Sequence, residues 1–165
     1  MPELNIGKKA PSFSFKDEDG KKISLSEIVG EKGLILYFYP KDMTPGCTTE
    51  ACDFRDHSKE FQKIGFTIAG VSKDGQVSHE KFRQKYELPF RLIPDEDFSI
   101  CNKYGVFRDK KFMGKTKKGI VRSTFILDKD LKILKIYDEV KVKDHILNII
   151  KDTMEWIRWK SGNQN

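Results

Sequence analysis

Apolar residues gather in short runs along the chain, and these runs predict buried strands. GLILYFY at 33–39 and FTIAGV at 66–71 are typical of strands that are covered on both faces. Shorter runs predict further strands at 91–93, 123–128 and 131–137. The last two strands flank a tight Asp-Lys-Asp turn, so we expect them to pair with each other.

The segments outside these runs carry turn signals or apolar residues at helical spacing. Near the N-terminus, PSFSF and KKISL flank an Asp-Gly step, which indicates a hairpin-like turn. Residues 48–64 predict a helix that ends at Gly65, residues 78–86 a charged helix, and residues 98–104 a helical turn. A final helix is predicted to direct six apolar residues toward the core: Val142, Ile146, Ile149, Ile150, Met154 and Ile157.

Helices that alternate with buried strands indicate an α/β fold, with a central mixed β-sheet flanked by helices. We expect a single domain over residues 1–160. The Gly- and Lys-rich residues 105–121 predict a loop, and residues 161–165 (SGNQN) predict a disordered tail.

Composition narrows the class of protein. The chain has 165 residues, of which 38% are hydrophobic, and this is enough for one domain with a core. It contains no apolar run near the ~20 residues of a membrane span, and its first residues lack the apolar segment of a signal peptide. We therefore expect a cytoplasmic protein with no membrane partner. In that reducing compartment, its three cysteines predict catalytic, ligand or buried thiols.

The net charge of +6 raises the question of nucleic acid as a partner. Lysines cluster within residues 110–118, but elsewhere they alternate with acids, as in KDEDGKK. No zinc-finger or RNA-binding motif accompanies them. The pattern favours a solvated surface, and no nucleic-acid partner is expected.

The stretch FYPKDMTPGCTTEAC at 38–52 holds two cysteines at an unusual spacing. Cys47 falls in the first turn of the predicted helix, where the helix dipole and unpaired N–H groups stabilise a nucleophilic thiolate. Cys52 lies ~140° further round the helix and its Cα roughly 8–9 Å away. A disulfide needs Cα atoms within ~7 Å, so the two thiols can bond only if the helix unwinds. Alternatively, Cys52 is a small buried residue and Cys47 its chance neighbour.

The surrounding residues resemble a known family. Pro40-x-x-x-Thr44-x-x-Cys47 matches the active-site motif of peroxiredoxins, and the longer stretch is similar to the peroxiredoxin Q group, also called bacterioferritin comigratory protein. Further matches are KAPSF at 9–13, GVSKD at 70–74 and FMGKTKKGIVRSTFILD at 112–128. The resemblance covers roughly residues 4–155 and implies a thioredoxin-like (peroxiredoxin) fold.

The resemblance also assigns roles to individual residues. It implies that Cys47 is the peroxidatic cysteine, which becomes a sulfenic acid, and that Cys52 is the resolving cysteine, which forms an intramolecular disulfide with it. Thr44 is expected to hydrogen-bond the peroxide, and Arg122 to stabilise the thiolate and the transition state. Pro40 is expected to shield the thiolate from water.

The implied activity is that of a thiol-specific peroxidase. Its substrates would be hydrogen peroxide and organic hydroperoxides, and thioredoxin or a similar dithiol donor would recycle it. No cofactor and no metal is expected. Relatives in this group are often monomers, and we expect a monomer here.

Two other functions compete with this interpretation. A thioredoxin-like disulfide oxidoreductase or thiol chaperone lacks support because the chain has no C-x-x-C motif. A metal-binding module could use Cys47, Cys52 and His57, which are chemically suitable ligands for a soft metal. That alternative leaves Thr44 and Arg122 without a function.

Other residues near these motifs are given simpler interpretations. Glu50 matches a residue common in this helix of the group and could tune the site, although an exposed first-turn glutamate can simply complement the helix dipole; it is not expected to be catalytic. Cys101 is predicted to be a buried packing residue. His57, His79 and His145 show no ligand spacing and are predicted to lie on the surface.

Overall fold

The computed structural model describes residues 4–162. Its nine strands within this range are β1 (Ser14–Lys16), β2 (Lys22–Ser24), β3 (Gly33–Phe38), β4 (Phe66–Ser72), β5 (Arg91–Pro94), β6 (Phe107–Phe112), β7 (Lys115–Ile120), β8 (Ser123–Asp128) and β9 (Ile133–Tyr137). Its α-helices are α1 (Pro45–Asp56), α2 (Ser58–Lys63), α3 (Gln76–Tyr86), α4 (Ser99–Lys103) and α5 (His145–Gly162), with a short 3₁₀ turn at Leu25–Glu27. The predicted N-terminal hairpin is the pair β1 and β2.

The central sheet has five strands in the order β5-β4-β3-β8-β9. The pairs β3–β4 and β4–β5 are parallel, whereas β3–β8 and β8–β9 are antiparallel. The predicted α/β fold with a mixed sheet is therefore confirmed. Three further predicted strands are confirmed as β5, β8 and β9; they were predicted at 91–93, 123–128 and 131–137. β9 starts two residues later than predicted.

The middle strand β3 is covered on both faces, as its apolar run predicts. All six of its residues are buried, because successive side chains point to opposite faces and each face has its own layer. Leu36 and Phe38 pack with the N-terminal segment and α4, while Ile35 and Tyr37 pack with α1 and α5. The carboxyl end of β3 leads directly into the loop that precedes α1.

The helix predicted over residues 48–64 is two helices. α1 begins earlier, at Pro45, and ends at Asp56, since His57 has the non-helical dihedral angles φ −108° and ψ 9°. The carbonyl of His57 accepts hydrogen bonds from the N–H groups of Glu60 and Phe61 and so opens α2. Gly65 follows α2 with φ +85°, the left-handed conformation that suits glycine after a helix.

Residues 105–121 are not a loop, and this prediction was wrong. They contain β6 and β7, which pair as an antiparallel hairpin separate from the central sheet. The connecting residues Met113 and Gly114 both have positive φ, as in the tight turns that favour hairpins. Lysines occupy positions on both strands, so the segment lacks the apolar alternation by which strands are recognised.

The final helix buries three of the six side chains predicted to face the core. Ile146, Ile149 and Ile150 are buried, whereas Met154 is exposed and Val142 precedes the helix. Thr153 is buried in place of Met154 and donates a hydrogen bond to the carbonyl of Ile149. The helix continues through residues 161 and 162, so the tail was predicted to start too early, and residues 163–165 lie outside the described range. No helix within residues 4–162 is both long and apolar enough to span a membrane.

Candidate active site

The site is built around Cys47, the third residue of α1. Thr44 is the N-cap of this helix and its carbonyl accepts the first helical hydrogen bond, from the N–H of Thr48. Pro45 occupies the first helical position, where its missing N–H costs nothing. Cys47 is only 2% exposed, although Pro45 and Gly46 beside it are exposed. The helix therefore presents a nearly buried thiol at its electropositive end.

Arg122 reaches the sulfur of Cys47 from the start of β8. β3 and β8 are antiparallel and pair Phe38 with Ser123, which places Arg122 next to the carboxyl end of β3. The Nη2 group of Arg122 donates to Cys47 Sγ at 3.4 Å. A side chain at Gly46 would place its Cβ 3.2 Å from the same Nη2 atom, so glycine leaves room for this close approach. The arrangement pairs the thiolate form of Cys47 with a fixed positive charge.

Glu50 is buried in this site, and the prediction that it is exposed was wrong. It lies three residues after Cys47 on the same helix face, has no exposed surface and accepts a 2.6 Å hydrogen bond from Arg122 Nη1. Burial raises the pKa of its carboxyl group to about 7, against the opposing effect of the Arg122 charge. The guanidinium group of Arg122 therefore donates hydrogen bonds to both the Cys47 sulfur and the Glu50 carboxyl group.

Two further buried side chains surround this pair. Burial, followed by the negative charges of Glu50 and Cys47, raises the pKa of Tyr37 well above its usual value, so its hydroxyl stays protonated. Burial and the Arg122 charge lower the pKa of His145 to about 4, so its ring is neutral at physiological pH. Its Nε2 atom lies 2.8 Å from the hydroxyl of Thr124. Arg122 is thus the cation that contacts both Cys47 and Glu50.

The predicted surface position of the histidines was wrong for two of the three. His145 and His79 are buried, whereas His57 is half-buried and pairs with Glu60 at 2.8 Å. The buried histidines have hydrogen-bonding partners on distant elements, Thr124 for His145 and Asp42 for His79. A single histidine with a partner far away in sequence leaves no local pattern from which burial could be predicted.

The loop between β3 and α1 carries the other two predicted site residues. Pro40 follows β3 and is half-buried. The hydroxyl of Thr44 donates to the carbonyl of Lys41 at 2.8 Å. Because that bond uses the hydroxyl hydrogen, the oxygen keeps lone pairs that can accept a hydrogen bond from a peroxide.

The three cysteines are free and differ in their surroundings. Cys52 is half-buried in α1, and burial raises its pKa. Cys101 is fully buried, as predicted, and burial together with Asp95 raises its pKa far above the usual range. Since α1 is intact, Cys47 and Cys52 point in directions about 140° apart.

The structure does not assemble the alternative metal site. Among residues 4–162, no group of three or more His, Cys, Asp or Glu side chains is placed to hold a metal ion. His57 pairs with Glu60, and Cys47 is held by Arg122, a cation that opposes metal binding. The site is instead suited to a nucleophilic thiolate that generates negative charge on a leaving oxygen.

Comparison with known proteins gives consistent matches over most of the chain. Residues 6–136 match the AhpC/TSA family. The chain is 46% identical to peroxiredoxin Bcp of Bacillus subtilis, over 92% of this chain and 98% of that protein, and 42% identical to peroxiredoxin Bcp of Escherichia coli, over 92% and 99%. Among solved structures it is similar to a peroxiredoxin Q of Xylella fastidiosa (TM-score 0.85, 30% identity, 95% and 99% coverage). A second similar structure is peroxiredoxin Q of Xanthomonas campestris (TM-score 0.79, 36% identity, 87% and 90% coverage), and a related structure of that protein concerns its alkyl peroxide reduction activity.

Proposed function

Because the chain belongs to the peroxiredoxin family, in its peroxiredoxin Q group, and is a thiol peroxidase with the thioredoxin-like fold of that family, we propose that Cys47 is its peroxidatic cysteine. The observation that carries this assignment is the 3.4 Å contact between Arg122 Nη2 and Cys47 Sγ at the start of α1. Among the described residues, no positively charged side chain donates a hydrogen bond to the sulfur of Cys52 or Cys101.

The proposed reaction is a two-electron displacement at oxygen. The Cys47 thiolate attacks one peroxide oxygen, an S–O bond forms, and the O–O bond breaks. The second oxygen leaves as hydroxide or alkoxide and takes up a proton to give water or an alcohol. Arg122 stabilises the thiolate and the charge that develops on the leaving oxygen, and Thr44 accepts a hydrogen bond from the peroxide. Pro40 shields the thiolate from water.

Hydrogen peroxide and organic hydroperoxides are the proposed substrates. Support comes from the exposed residues Pro45 and Gly46 beside the buried sulfur, which allow a bulky substituent to point to solvent. It also comes from the alkyl peroxide reduction activity of the Xanthomonas campestris relative. Neither argument requires a cofactor or a metal.

Cys52 is proposed to resolve the sulfenic acid on Cys47 by forming an intramolecular disulfide, with loss of water. Both residues lie in the same intact helix, so its first turns must unwind before the sulfur atoms can meet. Thioredoxin or a similar dithiol protein would then reduce the disulfide by thiol–disulfide exchange. This cycle suits a reducing compartment, and we propose the cytoplasm. We also propose that residues 1–160 act as a single domain and as a monomer.

A thioredoxin-coupled assay over a panel of hydroperoxides tests this proposal. The wild-type protein is expected to turn over hydrogen peroxide and alkyl hydroperoxides, and Cys47→Ser to lose activity because a serine hydroxyl is not ionised at neutral pH. Cys52→Ser is expected to complete one turnover and then lose peroxidase activity, because its sulfenic acid has no local partner and excess peroxide oxidises it further. Substantial turnover by Cys47→Ser would remove Cys47 from the mechanism. Turnover with dithiothreitol but not with thioredoxin would leave the peroxidase chemistry standing and exclude thioredoxin as the donor.

A further inference from the structure

The loop that carries Pro40 and Thr44 is anchored by one buried carboxylate. Asp42 is 4% exposed and lies at the middle of this loop. Its carboxylate accepts hydrogen bonds from three side chains: Tyr39 Oη at 2.6 Å, Ser78 Oγ at 2.8 Å and His79 Nδ1 at 2.7 Å. Its backbone N–H donates to Asp74 Oδ2 at 2.8 Å. The loop is therefore tied both to the end of β3 and to the segment between β4 and α3.

The chemistry of these groups fixes the direction of each hydrogen bond. An ionised carboxylate only accepts, so His79 must carry its hydrogen on Nδ1. Burial, followed by the charges of its neighbours, raises the pKa of Tyr39 well above its usual value, so its hydroxyl remains a donor. The Oδ2 atom of Asp74 is held in turn by the hydroxyl of Ser72. Every polar atom of the Asp42 carboxylate thus has a defined partner on a regular element or directly beside one.

The loop needs such an anchor because its backbone is strained. Met43, between Asp42 and Thr44, has φ +66°, a left-handed conformation that a non-glycine residue adopts only when its surroundings hold it there. The side chain of Met43 is 40% exposed and contributes little packing to this hold. The hydrogen bonds of Asp42 on one side and the N-cap of α1 on the other are what fix the path of the chain.

We propose that Asp42 is a positioning residue for peroxide reduction, which holds Pro40 and Thr44 in register with Cys47 by tying their loop to His79 and Ser78 of α3. This role rests on the proposed function, and it adds Asp42, which is not one of the three named positions of the motif Pro40-x-x-x-Thr44-x-x-Cys47. Asp42 does not touch the sulfur. Its effect passes through Thr44, which receives the peroxide, and through Pro40, which shields the thiolate.

This role separates two properties of Cys47. Formation of the thiolate depends on α1 and on Arg122, neither of which is hydrogen-bonded to Asp42 in the described residues. Alignment of the peroxide depends on the loop. A variant that loosens the loop should therefore react slowly with peroxide while its thiolate still reacts with a simple alkylating agent.

The test uses a background with Cys52→Ser and Cys101→Ser, so that Cys47 is the single thiol of the full-length protein. In this background the rate constants of Cys47 with hydrogen peroxide and with iodoacetamide are measured for Asp42→Asn, His79→Leu and His79→Asn. Asp42→Asn and His79→Leu are expected to lower the peroxide rate constant about 10- to 100-fold, as displacements of about 1 Å do, and to change the alkylation rate constant by less than about two-fold. His79→Asn, which can place an N–H donor near the position of Nδ1, is expected to recover most of the peroxide rate.

Asp95→Asn is the matched control. Asp95 is also a buried aspartate, 2% exposed, but its carboxylate accepts hydrogen bonds from the N–H groups of Ile100 and Cys101 at the start of α4. It should lower the free energy of unfolding without changing the ratio of the two rate constants. Equal losses of both rate constants in Asp42→Asn, or no loss of either, would overturn the positioning role. Failure of the background protein to react with peroxide at all would instead overturn the proposed function.

Discussion

Arg122 interacts with two acidic groups, the thiol of Cys47 and the carboxyl of Glu50, through different nitrogen atoms of its guanidinium group. This forked geometry is specific to arginine, because a lysine offers one ammonium group and cannot hold two partners in a fixed plane. The site therefore depends on the shape of the cation as well as on its charge.

Arg122→Ala is expected to lower the rate constant with peroxide roughly 10²-fold or more, as the loss of one preorganised electrostatic group does. Arg122→Lys should give an intermediate rate constant. Arg108→Ala serves as the control, since Arg108 lies on the separate hairpin and pairs with Asp138, the residue after β9. An unchanged rate constant in Arg122→Ala would show that this residue has no part in the reaction.

Glu50 should make the stability of the protein depend on pH. Its folded-state pKa of about 7 lies above the ordinary value of 4.5, so between these values the folded protein keeps a proton that the unfolded chain has released. The free energy of unfolding should therefore fall as the pH rises through this window, by up to about 3 kcal/mol. Glu50→Gln cannot titrate and should lack this decline.

Urea unfolding of both proteins between about pH 5 and about pH 8 measures the effect. The stability of Glu50→Gln relative to the wild type is expected to increase with pH across this range, whatever its absolute value. A constant difference between the two proteins would show that Glu50 does not retain its proton in the folded state.

The sequence singled out groups that belong to a local motif and missed groups whose burial depends on distant partners. Pro40, Thr44 and Cys47 lie within one short stretch, and Arg122 was recognised from the family resemblance of its own segment. Glu50 looked like an exposed residue because its partner Arg122 lies 72 positions away. His79 and Asp42 likewise share a hydrogen bond although they lie 37 positions apart in the sequence.

At the scale of single elements, α1 must open if Cys47 and Cys52 are to bond. We expect hydrogen exchange at residues 47–54 to be faster in the disulfide form than in the reduced form, while residues 34–39 of β3 stay protected, because β3 is fully buried. Hydrogen exchange followed by mass spectrometry measures both segments in one experiment. Full protection of α1 in a protein with a demonstrated Cys47–Cys52 disulfide would contradict this expectation.

Two variants define the consequences of this opening. In Cys52→Ser the sulfenic acid has no local partner, and excess peroxide should convert Cys47 to the sulfinic acid, seen as the addition of two oxygen atoms. Cys101→Ser should still form the disulfide, since Cys101 is buried behind the sheet from α1. Loss of the disulfide in Cys101→Ser would make Cys101 the resolving residue.

Elements with a strong apolar pattern were predicted well, and elements stabilised in other ways were not. The two central strands and the start of β8 follow directly from their apolar runs. The hairpin of β6 and β7 was missed because its exposed strands carry lysines, and its pairing depends on the turn at Met113 and Gly114. The break at His57 was missed because no glycine or proline marks it.

For the whole molecule, the distribution of exposed apolar side chains favours a monomer. Four of the large exposed apolar residues lie on different segments, and three share α5; they are Ile6 near the N-terminus, Met43 in the loop before α1, Val77 on α3, Met113 on the hairpin, and Leu147, Met154 and Trp159 on α5. Stable homodimers require a larger continuous apolar surface. We expect light scattering after size-exclusion chromatography to give a mass near 19.2 kDa in both redox states. A mass near twice this value in either state would contradict the expectation.

The end of α1 at His57 limits how far the opening of this helix can spread. Helix formation is cooperative only within an uninterrupted series of backbone hydrogen bonds, and α2 forms a separate series anchored by the fully buried Phe61. Only the residues of α1 are then released, between the loop that Asp42 anchors and His57, so both ends of the released segment are held. In such a short tethered segment one thiol meets the other at an effective concentration on the order of millimolar, without a second subunit. Intramolecular resolution by Cys52 would thus be independent of the amount of protein in the cell.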